Sequence, residues 1–274
     1  MRITEIDSWK VIAKCILFWA LFILLLYILG SAGNVSFPGK WQPLSFGILG
    51  LVAAMVSVFA FIRIERKPLS DIGLTFETRS VFRFIKGLLA GSLIFISLIF
   101  LLIIFTEIKI IRSGEMSANS IFWYLVFIPL ALMEEIAFRS YPFIRLKNVL
   151  GLRITQVMIA VAFAIYHIIL GWDPQIAFIG PAIWSFIFCL SAAWSGGIAV
   201  PTGIHVALNV MQALCGLKSD YGSVWKLKYP EGLSDTVINN GGRIQIFTHL
   251  LILIIAVFLT EYFIRKKTKK NGSH

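Results

Sequence analysis

The chain has 274 residues, of which 58% are hydrophobic and only 14% charged, and its mean hydropathy is +0.85. A soluble domain carries about one quarter charged residues, so this composition excludes an ordinary soluble fold and predicts a protein that crosses a membrane several times. The net charge of +11 does not point to nucleic acid, because the basic residues sit at the ends of apolar runs, where membrane helices carry them.

A run of roughly 20 apolar residues spans the hydrocarbon core as a helix. Eight such runs follow one another: Val11 to Gly30, Pro43 to Ile62, Ile85 to Thr106, Ile121 to Tyr141, Ile154 to Leu170, Gln175 to Trp194, Ile198 to Leu217 and Ile244 to Ile264. They predict an all-α polytopic bundle of about eight helices forming a single transmembrane domain. The first run follows Arg2, Lys10 and Lys14 and resembles a signal peptide. It is long for one, and Gly30-Ser31-Ala32 is a marginal cleavage site, so it reads as an uncleaved first helix.

Lys and Arg set the orientation. Three precede or open the first run, six lie between Arg63 and Lys86, four between Arg139 and Arg153 and five after Ile264, which is 18 of the 25 present. The other seven are Lys40, Lys109, Arg112, Lys218, Lys226, Lys228 and Arg243. The richer side is expected to be cytoplasmic and to hold both termini, in the plasma membrane if the source is bacterial. Within the linker from Arg63 to Lys86, the stretch Arg79 to Lys86 is expected to form a short interfacial helix after Pro68 and Gly73. The loop from Lys218 to Arg243 reads as irregular, with Trp225 and Tyr229 at the interface. Cys15, Cys189 and Cys215 lie in apolar runs without CxxC spacing and read as small packing residues.

Ionisable groups inside a span cost several kcal/mol on insertion scales, so they usually have a partner or a task. Among 14 acidic residues, only Glu134 and Glu135 sit well inside an apolar run. Glu135 and Arg139 are four apart on one helix face, in the favourable order, and are expected to pair. Glu134 lies about 100° around the helix and is left without a local partner, which suits a general base. His167 follows Phe163 by one turn. His205, Asn209 and Gln212 share one helix stripe, which lipid would leave unsatisfied, so the stripe faces the bundle interior or a wet cavity. Pro201 and Gly203 are expected to loosen the start of that helix. His249 has no polar neighbour in its span and reads as a packing or interfacial residue.

Glu134-Glu135-x-x-x-Arg139, Phe163-x-x-x-His167 and His205-x-x-x-Asn209, in this order on three separate spans, resemble the signature of the CPBP family. These are the CAAX proteases and bacteriocin-processing enzymes, also called the Abi family. Each motif is weak alone; together they are specific. The motif-bearing core covers about 121–217, and Asp71-Ile72-Gly73-Leu74 resembles the family's lead-in. Two departures are Ser140, where many members carry Gly, and Cys189 to Ala193, where Gly is frequent. There is no HExxH, GxSG or GxGD motif of the other intramembrane protease classes.

The resemblance implies an intramembrane endopeptidase acting on a membrane-associated or lipidated peptide or protein, surrounded by membrane lipids. In that reading Glu134 is the base and His167 positions or polarises the water. His205 and Asn209 stabilise the oxyanion, while Glu135, Arg139 and Phe163 support the site. Two His and one Glu also suffice for a catalytic zinc site, so Glu134, His167 and His205 are the candidate ligands of a single divalent metal. A metal-free glutamate mechanism fits the same residues and is slightly preferred. Two other classes remain: a non-catalytic scaffold regulating a signalling partner, which would tolerate loss of Glu134, and a transporter, which an inverted repeat would favour.

Overall fold

The computed structural model describes every residue except 1–4, 37–38, 76, 107, 115–121, 219–221, 230–241 and 272–274. Among the described residues, eight helices follow in chain order: α1 Glu5–Ser36, α2 Gln42–Glu65, α3 Thr78–Phe105, α4 Phe127–Arg139, α5 Tyr141–Ile169, α6 Pro174–Ser195, α7 Ala199–Leu214 and α8 Arg243–Asn271. The only strands among the described residues are β1 Lys109–Arg112 and β2 Trp225–Lys228, paired antiparallel with Lys109 opposite Lys228. The protein is an all-α membrane bundle.

Among the described residues, six stretches are long and apolar enough to cross a membrane, and one of them, Phe122–Ile169, is 48 residues long. At 1.5 Å per residue it would measure about 72 Å, more than twice the hydrocarbon core, so it accounts for two crossings. α7 has 16 residues, or about 24 Å, and falls short of a full span by itself. Helices long enough to span by themselves therefore number about seven among the described residues rather than the eight expected; the shorter α7 still carries the chain from the Gly73 corner, where the Ile198 N–H meets the Gly73 carbonyl, to the ribbon end, where the Val224 N–H meets the Leu214 carbonyl.

The linkers differ from the sequence expectation in three places. Arg79 to Lys86 is not a separate interfacial helix but the first turns of α3, because no breaker separates it from the apolar run that follows. The segment between Arg139 and Arg153 is helical rather than a loop. Ser140, with φ −93° and ψ −111°, turns the chain from α4 into α5, and Gly151, at φ +76°, breaks α5 after a short amphipathic piece. Tyr141, Phe143 and Leu146 from that piece are buried in the core. Lys218 to Arg243 is not wholly irregular, since β2 lies within it; 230–241, like Ile121 at the start of the fourth run, lie outside the described residues.

The two ends of the bundle have different chemistry. At one end the Glu65 carboxylate is held by Lys14 at 2.8 Å, Arg145 at 3.1 Å and the Tyr141 hydroxyl at 3.1 Å, tying α1, α2 and α5 together. Arg153 and Glu261 pair at 2.5 Å between α5 and α8. Glu65 is thus a further buried carboxylate, which its place at the edge of an apolar run concealed. The opposite end carries the β1–β2 ribbon, the Tyr124 hydroxyl donating to the Gly222 carbonyl, and Trp41 packed on Trp123. α1 is an integral wall: Phe18 and Phe22 are fully buried against rings of α2, α4 and α5.

α3 and α7 run parallel in the tightest helix contact of the bundle. Both start from one corner, where the Ile198 N–H reaches the Gly73 carbonyl. Small residues spaced by four let the backbones touch: Gly87 and Gly91 on α3 face Gly203 and Ala207 on α7. Gly203 therefore serves this contact rather than loosening the helix start. A Cβ there would lie 2.2 Å from the Phe84 carbonyl oxygen and 2.8 Å from the Leu88 nitrogen, and backbone atoms cannot rotate away. Gly203→Val is expected to destabilise by about 3 kcal/mol or more, read as a lowered melting temperature in detergent. Gly180→Ala, whose Cβ would meet nothing within 4 Å, is the matched control. Equal melting temperatures for the two variants would refute the close-contact account.

Candidate active site

The site grows from α4. Glu135 and Arg139 project from the same face and are fully buried, with the Arg139 Nε 3.5 Å from Glu135 Oε2. The Arg139 Nη2 donates to the Ser185 hydroxyl at 2.9 Å. Its guanidinium lies 4.3 Å from the Phe163 ring centroid and 5.1 Å from that of Phe188. Nε and Nη1 have no hydrogen-bond partner among the described residues, so the aromatic faces supply the stabilisation that hydrogen bonds do not. Phe163 thereby supports the arginine as well as the His167 ring, which it meets edge-on at 4.6 Å.

α7 brings His205 against both carboxylates. Its Nδ1 is 2.9 Å from Glu135 Oε1 and its Nε2 is 3.7 Å from Glu134 Oε2. A carboxylate accepts, so Nδ1–H donates to Glu135 and fixes the ring. Phe188 stacks on the imidazole with centroids 4.7 Å apart at 17°. Glu134 Oε1 in turn accepts a long hydrogen bond from the Tyr166 hydroxyl at 3.4 Å. Glu135 thus binds two partners, Arg139 and His205, where the helix-face argument found only the first.

His167 faces inward rather than toward lipid. It is buried, and its Nδ1 donates to the Phe163 carbonyl at 2.8 Å, which leaves Nε2 as an acceptor. Tyr166 and Trp172 enclose the ring from two more sides. A cavity of about 480 Å³ joins the motif residues: Phe163, His167, His205, Asn209 and Gln212 all line it. The stripe expected on α7 is therefore on one wall of one cavity. Glu134 does not line the cavity itself and meets it through His205.

Several residues around the two charged groups and the cavity escaped the sequence reading. Tyr166, Ser185 and Phe188 are ordinary span residues until the fold sets them around the two charged groups. His249 and Gln245, on α8, also line the cavity. Their spacing of four in an otherwise apolar span was the only available signal.

The candidate metal ligands do not converge as a set. His205 commits its Nδ1–H to Glu135 and His167 its Nδ1–H to a backbone carbonyl, which leaves each Nε2 as an acceptor. Among the described residues, no three His, Cys, Asp or Glu side chains stand close enough to hold an ion.

The arrangement sets two imidazoles and an amide on the wall of one cavity, with the two carboxylates of α4 behind the His205 ring. Residues 116–211 match the family model described as type II CAAX prenyl endopeptidase Rce1-like. No curated protein matches the chain.

Proposed function

From the Rce1-like region at residues 116–211 and the apolar helices around it, we infer that this chain is a CAAX-type intramembrane protease with a membrane-associated substrate. The proposed reaction is hydrolysis of a peptide bond by water that Glu134 activates. The observation that carries this reading is His205, held between Glu134 and Glu135 on the wall of the cavity that His167 and Asn209 share.

The chemistry follows from the hydrogen bonding. With Nδ1–H committed to Glu135, the neutral His205 offers only a lone pair at Nε2, facing the Glu134 carboxylate at 3.7 Å. Two acceptors at that distance repel unless a donor lies against both. A water donating one hydrogen to each, at about 2.8 Å, relieves the repulsion and keeps its own lone pairs free. Attack forms the bond from the water oxygen to the carbonyl carbon, and Glu134 takes the proton. The Asn209 amide, a neutral donor on the same stripe, stabilises the oxyanion. His205 joins it whenever Nε2 is protonated. Collapse breaks the C–N bond, and the proton passes from Glu134 to the leaving amine. His167, through Nε2, accepts from a substrate N–H. Glu135, Arg139 and Phe163 hold His205 and the α4–α5 joint in place. The test is cleavage of membrane-tethered peptides by the purified protein, compared with Glu134→Gln.

The orientation is proposed from charge. The Glu65 end collects the basic residues and is assigned to the cytoplasm with both termini. The cavity reaches toward the other end through Leu227, Lys218 and Tyr229, so substrate would approach from the non-cytoplasmic side. A reporter inserted at Ser113, beside the ribbon, is expected to map outside and one at Lys67 inside. Ser113 mapping inside would reverse the assignment.

A further inference from the structure

The catalytic stripe of α7 occupies one wall of the cavity, and α8 forms the wall across from it. α8 packs on α6 and presents Ile244, Gln245, Thr248 and His249 to the cavity. It lies outside the region of family match. A peptide bond can be cut only in an extended segment, and an extended segment inside a bilayer exposes N–H and C=O groups that lipid leaves unsatisfied. The stripe of α7 answers one edge of such a segment. Gln245, Thr248 and His249 on α8 face the other edge.

His249 carries the argument furthest. Its Nδ1 lies 2.8 Å from the Gln245 carbonyl oxygen. A carbonyl accepts only, so Nδ1 holds the proton and Nε2 presents a lone pair. Nε2 has no partner among the described residues, and the ring lines the cavity with its edge toward Trp184 at 6.5 Å. An imidazole needed only for packing would be better replaced by an apolar ring, because a half-buried acceptor left unbonded costs free energy.

We propose that His249 is a substrate-binding residue, whose Nε2 accepts a backbone N–H of an extended peptide lying between α7 and α8. The inference rests on the peptidase reading. It gives the cavity a second polar edge and makes the substrate an unwound segment, gripped on both sides, rather than a helix presented from one side.

The test compares wild type with His249→Phe, which keeps the ring and removes the acceptor, on one membrane-tethered peptide and on its variants N-methylated at single positions around the scissile bond. The loss is expected mainly in KM, rising about fivefold or more, with a smaller effect on kcat. At one position N-methylation should weaken the wild type about as much and add little in His249→Phe, a coupling that a packing defect would not produce. Affinity of the same peptides for the Glu134→Gln protein, with and without His249→Phe, gives a readout independent of turnover. Loss of that affinity with no cleavage by wild type would leave this inference standing and remove the catalytic one. A KM change within about twofold, or equal N-methylation penalties in the two proteins at every position, would overturn it. Failure of every peptide to bind would overturn both.

Discussion

Glu134→Gln is expected to lower cleavage of a membrane-tethered peptide by about 10²- to 10⁴-fold while leaving the melting temperature near that of wild type. Gln matches Glu in size, and its carbonyl can still accept from the Tyr166 hydroxyl. What disappears is the basic oxygen beside His205 Nε2. Glu134 makes no close ion pair with Arg139 or with any lysine among the described residues, so little electrostatic stability depends on it. The same preparation carries a second arm. Wild-type protein stripped of metal, verified by elemental analysis, should cleave at its untreated rate. Activity lost on chelation and restored by zinc would remove the metal-free mechanism. Full activity in Glu134→Gln would remove the assignment of the base. Wild-type protein that folds, cleaves nothing and keeps its biological output in every variant would leave the scaffold reading.

Glu135 gives the largest effect on stability. Its carboxylate is fully buried and serves Arg139 at 3.5 Å and His205 at 2.9 Å. Removing one member of a buried pair leaves the other charge uncompensated, at about 3 to 5 kcal/mol. Glu135→Ala should therefore lose both stability and activity, because Arg139 loses its counter-charge and His205 loses its orienting acceptor. Glu135→Gln should lose a comparable part of the stability and retain more activity than the alanine variant, since the amide oxygen still accepts Nδ1–H. Adding Arg139→Gln to Glu135→Gln should recover part of the melting temperature by removing the orphaned cation. Melting in detergent and turnover of one peptide separate these variants from one another and from wild type. A stable, inactive Glu135→Gln beside an active Glu134→Gln would exchange the roles of the two carboxylates. A double variant no more stable than Glu135→Gln alone would show that the arginine is held by Phe163 and Phe188 without need of the carboxylate.

Much of this was legible in the sequence because a bilayer simplifies the problem. Backbone groups in lipid must be satisfied internally, so long apolar runs have to be helices, and polar side chains inside them stand out against a background that tolerates few. That logic found Glu134, Glu135, Arg139, His167, His205 and Asn209, and helical periodicity alone put Glu135 beside Arg139 and gathered the α7 stripe on one face. The α3–α7 contact was equally available as Gly87-Leu88-Leu89-Ala90-Gly91 and went unread, since glycines in an apolar run carry no charge to draw notice. Periodicity is a statement about one helix. It could not show that His205 would cross to Glu135 as well as Glu134, that Ser185 and two phenyl rings would share the burden of Arg139, or that the carboxylate of Glu65 would find three partners from other helices. His249 is the clearest case: along its own span it reads as a packing or interfacial residue, and only the placement of α8 brings it to the cavity that the α7 stripe lines. The pattern along a helix fixes which side chains share a face, but which helix each face meets depends on packing between segments far apart in the chain, and that information exists only in the folded bundle.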